Sequence, residues 1–214
     1  MESLRAMHIA TLMLLFLLGL LIFCSNKDSI PIHWNINGEP DRYSGKLEGS
    51  FLMPLTTLFL YTVLIAVPRI DPLRENIKKF RKDYGVFIEI FMLLMVSIQA
   101  LIALWVYDIQ VRINALMSIW VFVLFAYLSS FLKKTKRNWF IGIRTPWTIS
   151  DDLVWKKTHQ LGSKLFLILA FISLGMAFNN YFIYVLLIAT LIVTVYLFAF
   201  SYIEFEKNKK EKTR

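Results

Sequence analysis

The sequence predicts an all-α integral membrane protein, a six-transmembrane-helix bundle with an ordered outer loop and a cytoplasmic interfacial helix. Three observations predict it. The 214 residues are 57% hydrophobic and 18% charged, against about 45–50% and about 25% for soluble domains. Six apolar stretches, 8–24, 51–67, 85–107, 113–132, 165–179 and 182–203, together hold one Asp, Glu, Lys or Arg, namely Glu89. And 20 of the 24 Lys and Arg residues fall in alternate connections, on one side of the implied bundle.

A soluble helix keeps a polar face along its length, so this segregation excludes a soluble core. Disorder, a disulfide scaffold and a nucleic-acid-binding domain are excluded with it. The pI of about 9.6 is that of a membrane protein with basic cytoplasmic loops, and no direct nucleic-acid contact is expected. The single cysteine, Cys24, rules out an internal disulfide and a cysteine-based metal site. It reads as a buried bystander.

The first run follows Arg5, as in a secretory leader, but it is long for a leader's apolar core and no small-residue cleavage site follows it. It is read as a retained span. A spanning helix needs about 20 apolar residues, with a range of about 17–25. The fifth run, 165–179, is short and is expected to extend through Tyr181 or to sit in thinned bilayer. Asn179-Asn180 then turns the chain tightly into the sixth run. Positive charge stays cytoplasmic, so both termini are placed there, in a bacterial cell membrane. Residues 1–107 form an amino-terminal membrane domain, 108–203 a second one, and 204–214 a basic cytoplasmic tail of low apolar content, expected to be disordered.

Glu89 lies about one turn inside the third span. It reads as an acid snorkelling to the headgroups or pairing with a loop lysine, or as a proton or ligand relay; its place near the span end favours the former. Gln99 and Asn114 are expected to hydrogen-bond between helices.

The outer loop, 25–50, carries Pro31 and Pro40, which exclude a continuous helix, and Asn37-Gly38, a strong turn signal. Ile30, Ile32 and Trp34 alternate with Pro31, His33 and Asn35 as in an extended strand. A hairpin-like cap is expected. Its candidate ligand-facing residues are His33, Trp34, Asn35, Asn37, Gly38, Asp41 and Tyr43, with Trp34 and Tyr43 reading equally as interface anchors. The three histidines, His8, His33 and His159, lie in different segments, so no metal cluster and no cofactor are expected.

The inner loop, 133–164, opens on Lys133, Lys134, Lys136 and Arg137, which attract anionic lipid. A compact turn over Gly142–Trp147 follows. Thr148 or Ser150 can cap a helix over about 151–162, with Asp151 and Asp152 at its positive end; its pattern is that of an interfacial helix. Trp139, Trp147 and Trp155 read as belt anchors. Arg144 reads either as a helix-end cap or partner of Asp151 or Asp152, or as an anion or partner contact.

The segment IPIHWNINGEPDRYSGK resembles the signature of a small bacterial membrane domain of unknown function. NWFIGIRTPWTISDDLVWKKTHQLGSK resembles the core motif of the SdpI immunity-protein family. The matching residues include Asn138, Ile141, Gly142, Arg144, Thr145, Pro146, Trp147, Thr148, Val154 and Trp155. The resemblance implies producer immunity against a secreted peptide toxin. It also implies, as in the best-known case, a loaded receptor that holds a cytoplasmic transcriptional repressor at the membrane. The leading expectation is therefore a receptor or immunity protein without catalytic activity, its partners being membrane lipids, a peptide toxin and a repressor. Two rivals stand beside it. A small transporter would be expected to show repeats or broken helices, and the halves share no visible repeat. An intramembrane enzyme would need a nucleophile–base pair, paired acids or metal ligands, and Glu89 is alone within the runs.

Overall fold

The computed structural model describes residues 2–109 and 111–212. Its elements are α1 (Glu2–Phe23), a hairpin of β1 (Ser29–Trp34) and β2 (Pro40–Gly45), α2 (Lys46–Ile70), the short α3 (Arg74–Lys78), α4 (Arg81–Val106), α5 (Ile113–Leu132), the short α6 (Pro146–Ser150), α7 (Asp152–Gly175) and α8 (Phe182–Lys212). Six of these helices, α1, α2, α4, α5, α7 and α8, are long and apolar enough to cross a membrane. The all-α six-helix class and the ordered loop after α1 are as expected. The two-stranded sheet caps one end of the bundle, the hairpin end. The other, basic end gathers the connection through α3, the 133–151 loop and both termini.

Three boundaries differ from the sequence reading. The helix expected over 151–162 as a separate interfacial element is the first part of α7. The fifth span therefore gains its length toward the basic end, not through Tyr181, and the turn to α8 is closed by Asn179, whose Oδ1 accepts from the Tyr181 amide at 2.8 Å. The cap of α7 is Asp151, which accepts from the Leu153 and Val154 amides. Nor are the described residues of the tail, 204–212, disordered: α8 continues to Lys212. Its charges have partners that composition does not reveal. Glu204 pairs with Lys157 at 2.7 Å, and Asp151 takes Lys212 at 2.8 Å and Asn208 Nδ2 at 2.7 Å.

Helix α1 packs between α2 and α4, α5 packs along α7, α7 on α8, and the two groups meet along α4 and α5. The α5–α7 seam is built from small polar residues: Ser118, Ser129, Ser163 and Ser173 are all buried. The Ser173 hydroxyl donates to the Ser118 carbonyl at 2.8 Å, and the Ser129 and Ser163 hydroxyls meet at 3.3 Å. Small side chains let backbones approach where no hydrophobic effect drives helices together. Two apolar clusters close the ends. At the hairpin end Ile22, Ile30, Ile102, Ala103 and Val106 pack with Trp34 and Trp105; at the basic end Ile77, Phe80, Tyr84 and Ile88 pack with Phe131 and Ile141. Cys24, expected to be buried, is exposed just past the end of α1.

Helix α2 contains two prolines, Pro54 and Pro68. A helix-interior proline has no N–H to give the carbonyl four residues earlier. Those carbonyls are Ser50 and Leu64. Each accepts instead from a side chain of α4: Gln99 Nε2 donates to Ser50 O at 2.9 Å, and Tyr84 Oη donates to Leu64 O at 2.9 Å. Gln99 is fully buried and does hydrogen-bond between helices, as its position suggested. Asn114 does not; its Nδ2 donates to the Ile36 carbonyl of the hairpin at 2.7 Å.

Replacing Gln99 by Leu is expected to leave the Ser50 carbonyl bare and to destabilise the bundle by about 1–3 kcal/mol. Adding Pro54→Ala supplies a backbone N–H to the same carbonyl and is expected to recover much of that loss. Thermal unfolding of the two variants in detergent measures the coupling, and additive effects would show that proline and glutamine are unconnected.

Candidate functional site

Two regions carry the residues that the sequence singled out. The first is the hairpin. Its strands pair antiparallel from Ser29 opposite Gly45 to Trp34 opposite Pro40, with the register shifting around His33. Ile30 and Pro31 face the bundle and are buried. The turn is organised by Asn35: its Oδ1 accepts from the Asn37 and Glu39 amides at 2.9 and 3.1 Å, and its own amide donates to the Glu39 carbonyl at 2.8 Å. Gly38 has φ of +80°, a conformation that glycine adopts without steric cost. His33 Nδ1 and Asp41 Oδ1 lie 2.6 Å apart on the exposed face. Trp34 packs on the Ile22–Ile102 cluster, and the Tyr43 ring lies 5.6 Å from that of Trp105. These two rings fasten the hairpin to the bundle. The face left open comprises His33, Asn37, Asp41, Arg42 and Tyr43.

The second region is the loop between α5 and α7. Asn138 is fully buried, and its amide uses all of its hydrogen-bonding capacity: Nδ2 donates to the Lys136 and Ile141 carbonyls, and Oδ1 accepts from the Phe140 and Ile141 amides. Gly142 follows with φ of +115°. A Cβ there would lie 2.5 Å from His159 Nε2 and 3.2 Å from the Trp155 ring, so the backbone conformation and the space both demand glycine. His159 is buried beneath it. Its Nε2 accepts from the Ile143 amide at 3.0 Å. An amide N–H can only donate, so the other ring nitrogen, Nδ1, carries the proton and donates to the Trp155 carbonyl at 2.8 Å. The His159 ring stacks on Trp155 at 4.0 Å.

Beyond the glycine, Thr145 and Thr148 form a reciprocal capping box for α6, with Pro146 in its first turn. The Thr145 hydroxyl donates to Ser201 Oγ of α8 at 3.0 Å, and Trp147 packs edge-on against Phe198 and near Tyr202. Across the basic end, Asp71 Oδ2 accepts from the Trp139 amide at 2.9 Å, and Asn76 Nδ2 donates to the Arg137 carbonyl at 2.8 Å. Burial tends to raise the Asp151 carboxyl's pKa, but the hydrogen bond from Lys212, the Val154 and Leu153 amides and the Lys212 charge hold it below the usual carboxylate range.

Several expectations change here. Trp155 is not a belt anchor; it is buried, with Nε1 donating to the Thr135 carbonyl at 3.3 Å. Arg144 pairs with neither Asp151 nor Asp152. It is exposed and donates to the Trp139 carbonyl at 2.8 Å, while Arg137 takes Asp152. Glu89 neither snorkels nor meets a lysine. It is buried against α1, where its Oε1 accepts from the Thr11 hydroxyl at 2.7 Å and its Oε2 lies 3.7 Å from His8 Nε2. Sequence reasoning did not find His159, Asp71 or Asn76 as loop partners. His159 was signalled only by its spacing of four from Trp155, one helical turn along α7; the other two lie in a different connection and gave no local signal.

Gly142→Ala is expected to destabilise the protein by about 1–3 kcal/mol from backbone strain alone, more once His159 is displaced. Arg144→Gln, on the exposed face, is expected to stay within about 0.5 kcal/mol. Unfolding temperatures of the two purified variants check the contrast, and equal effects would refute the division of the motif into a buried frame and an open face.

Residues 134–202 match the model of the SdpI/YfhL protein family, and residues 10–58 match a domain of unknown function, DUF1648. The chain is 23% identical over 194 residues to the Immunity protein SdpI of Bacillus subtilis (strain 168), covering 90% of this chain and 91% of that protein. No solved structure matches it significantly. The first family match begins in the basic cluster after α5 and ends in α8, so it contains the Asn138–His159 frame and the seat of Trp147. With six membrane-length helices, the chain is a multi-pass membrane protein that is similar over residues 134–202 to the SdpI/YfhL family and, nearly end to end, to an immunity protein.

Proposed function

We propose that this chain is an immunity protein of a bacterial cell membrane that protects its cell against a secreted peptide toxin by binding or excluding it. The observation that carries this reading is the end-to-end similarity to a protein named for immunity, over 90% of the chain. Both termini and the basic end face the cytoplasm in this scheme, because 20 of 24 Lys and Arg residues lie there. The hairpin then faces outward. Its open side presents His33, Asn37, Asp41 and Tyr43 on a frame held by Trp34 and Asn35. The loop as a whole has three basic and four acidic residues, which suits a hydrophobic peptide better than a strongly charged one. Residues 1–107 and 108–203 act as two membrane domains, the first presenting the hairpin and the second the motif loop. A transcriptional repressor held at the membrane would meet the exposed part of that loop, Arg144 with Trp139 and Phe140, while Asn138, Thr145 and Trp155 shape it from within. The action is binding, with no chemical step.

Deleting the gene is expected to make the producing strain sensitive to peptide secreted by its parent, and the wild-type chain to restore growth. The double variant His33→Ala, Asp41→Ala, present at equal level in the membrane, is expected to restore much less. A deletion strain that grows unharmed beside its parent, and beside related producers, would refute immunity. In a Cys24→Ala background, Asn37→Cys is expected to react with a membrane-impermeant thiol reagent in intact cells, and Arg144→Cys only after permeabilisation.

A further inference from the structure

A cavity of about 530 Å³ lies at the basic end between the start of α1, the end of α2, α3 and the start of α4. Its inner wall is apolar: Ile77, Tyr84 and Ile88 are buried. Ile9 and Ile65 line it as well and are themselves exposed on α1 and α2, so the apolar wall runs out onto the bundle's lipid-facing surface. The remaining lining is cationic. Arg5, Arg69, Arg74, Lys78 and Arg81 are all exposed, and the lining has no carboxylate.

The cations around this cavity differ from others at the same end. Lys134, Arg137, Lys157 and Lys212 each hold a carboxylate. Of the cavity's own cations, Lys78 is held by Glu75, whereas Arg5, Arg69 and Arg81 have no carboxylate within ion-pair distance among the described residues. Three unpaired guanidiniums over an apolar slot repel one another unless an anion sits between them. Guanidinium suits phosphate because its fork of N–H donors matches two oxygens at once. On the inner side His8 lines the cavity, with the Glu89 carboxylate 3.7 Å behind it. The chemistry asked for is an amphiphile, anionic at one end and apolar at the other, with about the volume of an ordinary ligand pocket.

We propose that this cavity is a binding site for an anionic glycerophospholipid, its phosphate among Arg5, Arg69 and Arg81 and an acyl chain along Ile9 and Ile65. The site does not depend on the immunity reading or on which side of the membrane the basic end faces. It is also distinct from the basic cluster at 133–137, which lies after α5.

The full chain, purified in a neutral detergent and offered equal amounts of dioleoyl phosphatidylglycerol and dioleoyl phosphatidylcholine, is expected by native mass spectrometry to retain the anionic lipid at least about tenfold better, since each basic side chain contributes roughly fivefold. Arg5→Gln, Arg69→Gln, Arg81→Gln together are expected to abolish that preference, and Lys156→Gln with Lys164→Gln, exposed and away from the cavity, to leave it within about twofold. Equal retention of the two lipids, or a triple variant that binds like wild type, would overturn the site. Displacement by free glycerol phosphate would show an anion site with no acyl contact and would overturn the lipid assignment. Should the triple variant misfold, phosphatidylglycerol with a photoreactive acyl chain can be applied to the unaltered protein. Label is expected in residues 4–9 or 61–69, and label confined to α8 would count against the proposal.

Discussion

A carbonyl oxygen that loses its helical partner in apolar surroundings must find another donor within the chain. That constraint is visible twice on α2, where Pro54 and Pro68 release Ser50 O and Leu64 O, and α4 supplies Gln99 and Tyr84 to them. The two bonds fix α4 against α2 in both height and rotation, because each donor reaches one specific carbonyl about four helical turns from the other site. Helix α1 then has a defined groove to fill, and its Thr11 reaches Glu89 on the same α4. The apolar contacts around these points are plentiful but non-directional; the polar ones choose the arrangement.

The loop between α5 and α7 follows the same logic at higher density. Asn138 closes a turn with four bonds, Gly142 lets the backbone pass over an imidazole, and His159 returns the contact by accepting from Ile143. Most of this family motif is therefore inward-facing architecture. Its long α7 places Trp155 and His159 one turn apart beneath the loop, while Ser201, Phe198 and Tyr202 of α8 hold the α6 turn from the far side. What the motif offers outward is a small exposed set around Arg144 and Trp139.

The number of membrane-length helices was legible in the sequence because near-exclusion of charge from 15- to 23-residue runs leaves a signal that local reading captures. The hairpin was legible too, from Asn37-Gly38 and the alternation before it. The failures share a cause. Glu204 and Lys212 looked like charges of a disordered tail because their partners, Lys157 and Asp151, lie 47 and 61 residues away in the chain. Glu89 looked like a boundary residue because Thr11 and His8 belong to a different run. The 151–162 segment looked like a separate surface helix because its Lys156, Lys157 and Gln160 are polar, yet it runs without a break into the apolar part of α7. Within the motif, spacing marked Trp155 as aromatic and helical, and only its tertiary surroundings make it core.

Asn114 stands in the first turn of α5, and its side chain grips the hairpin at Ile36, next to the Asn37-Gly38 corner. Helix α5, 20 residues, is about 30 Å long at 1.5 Å per residue, and its far end leads through Phe131 and Leu132 to Thr135, whose carbonyl receives the Trp155 indole. One uninterrupted helix thus joins the corner of the hairpin to the floor of the motif loop at the other end of the bundle.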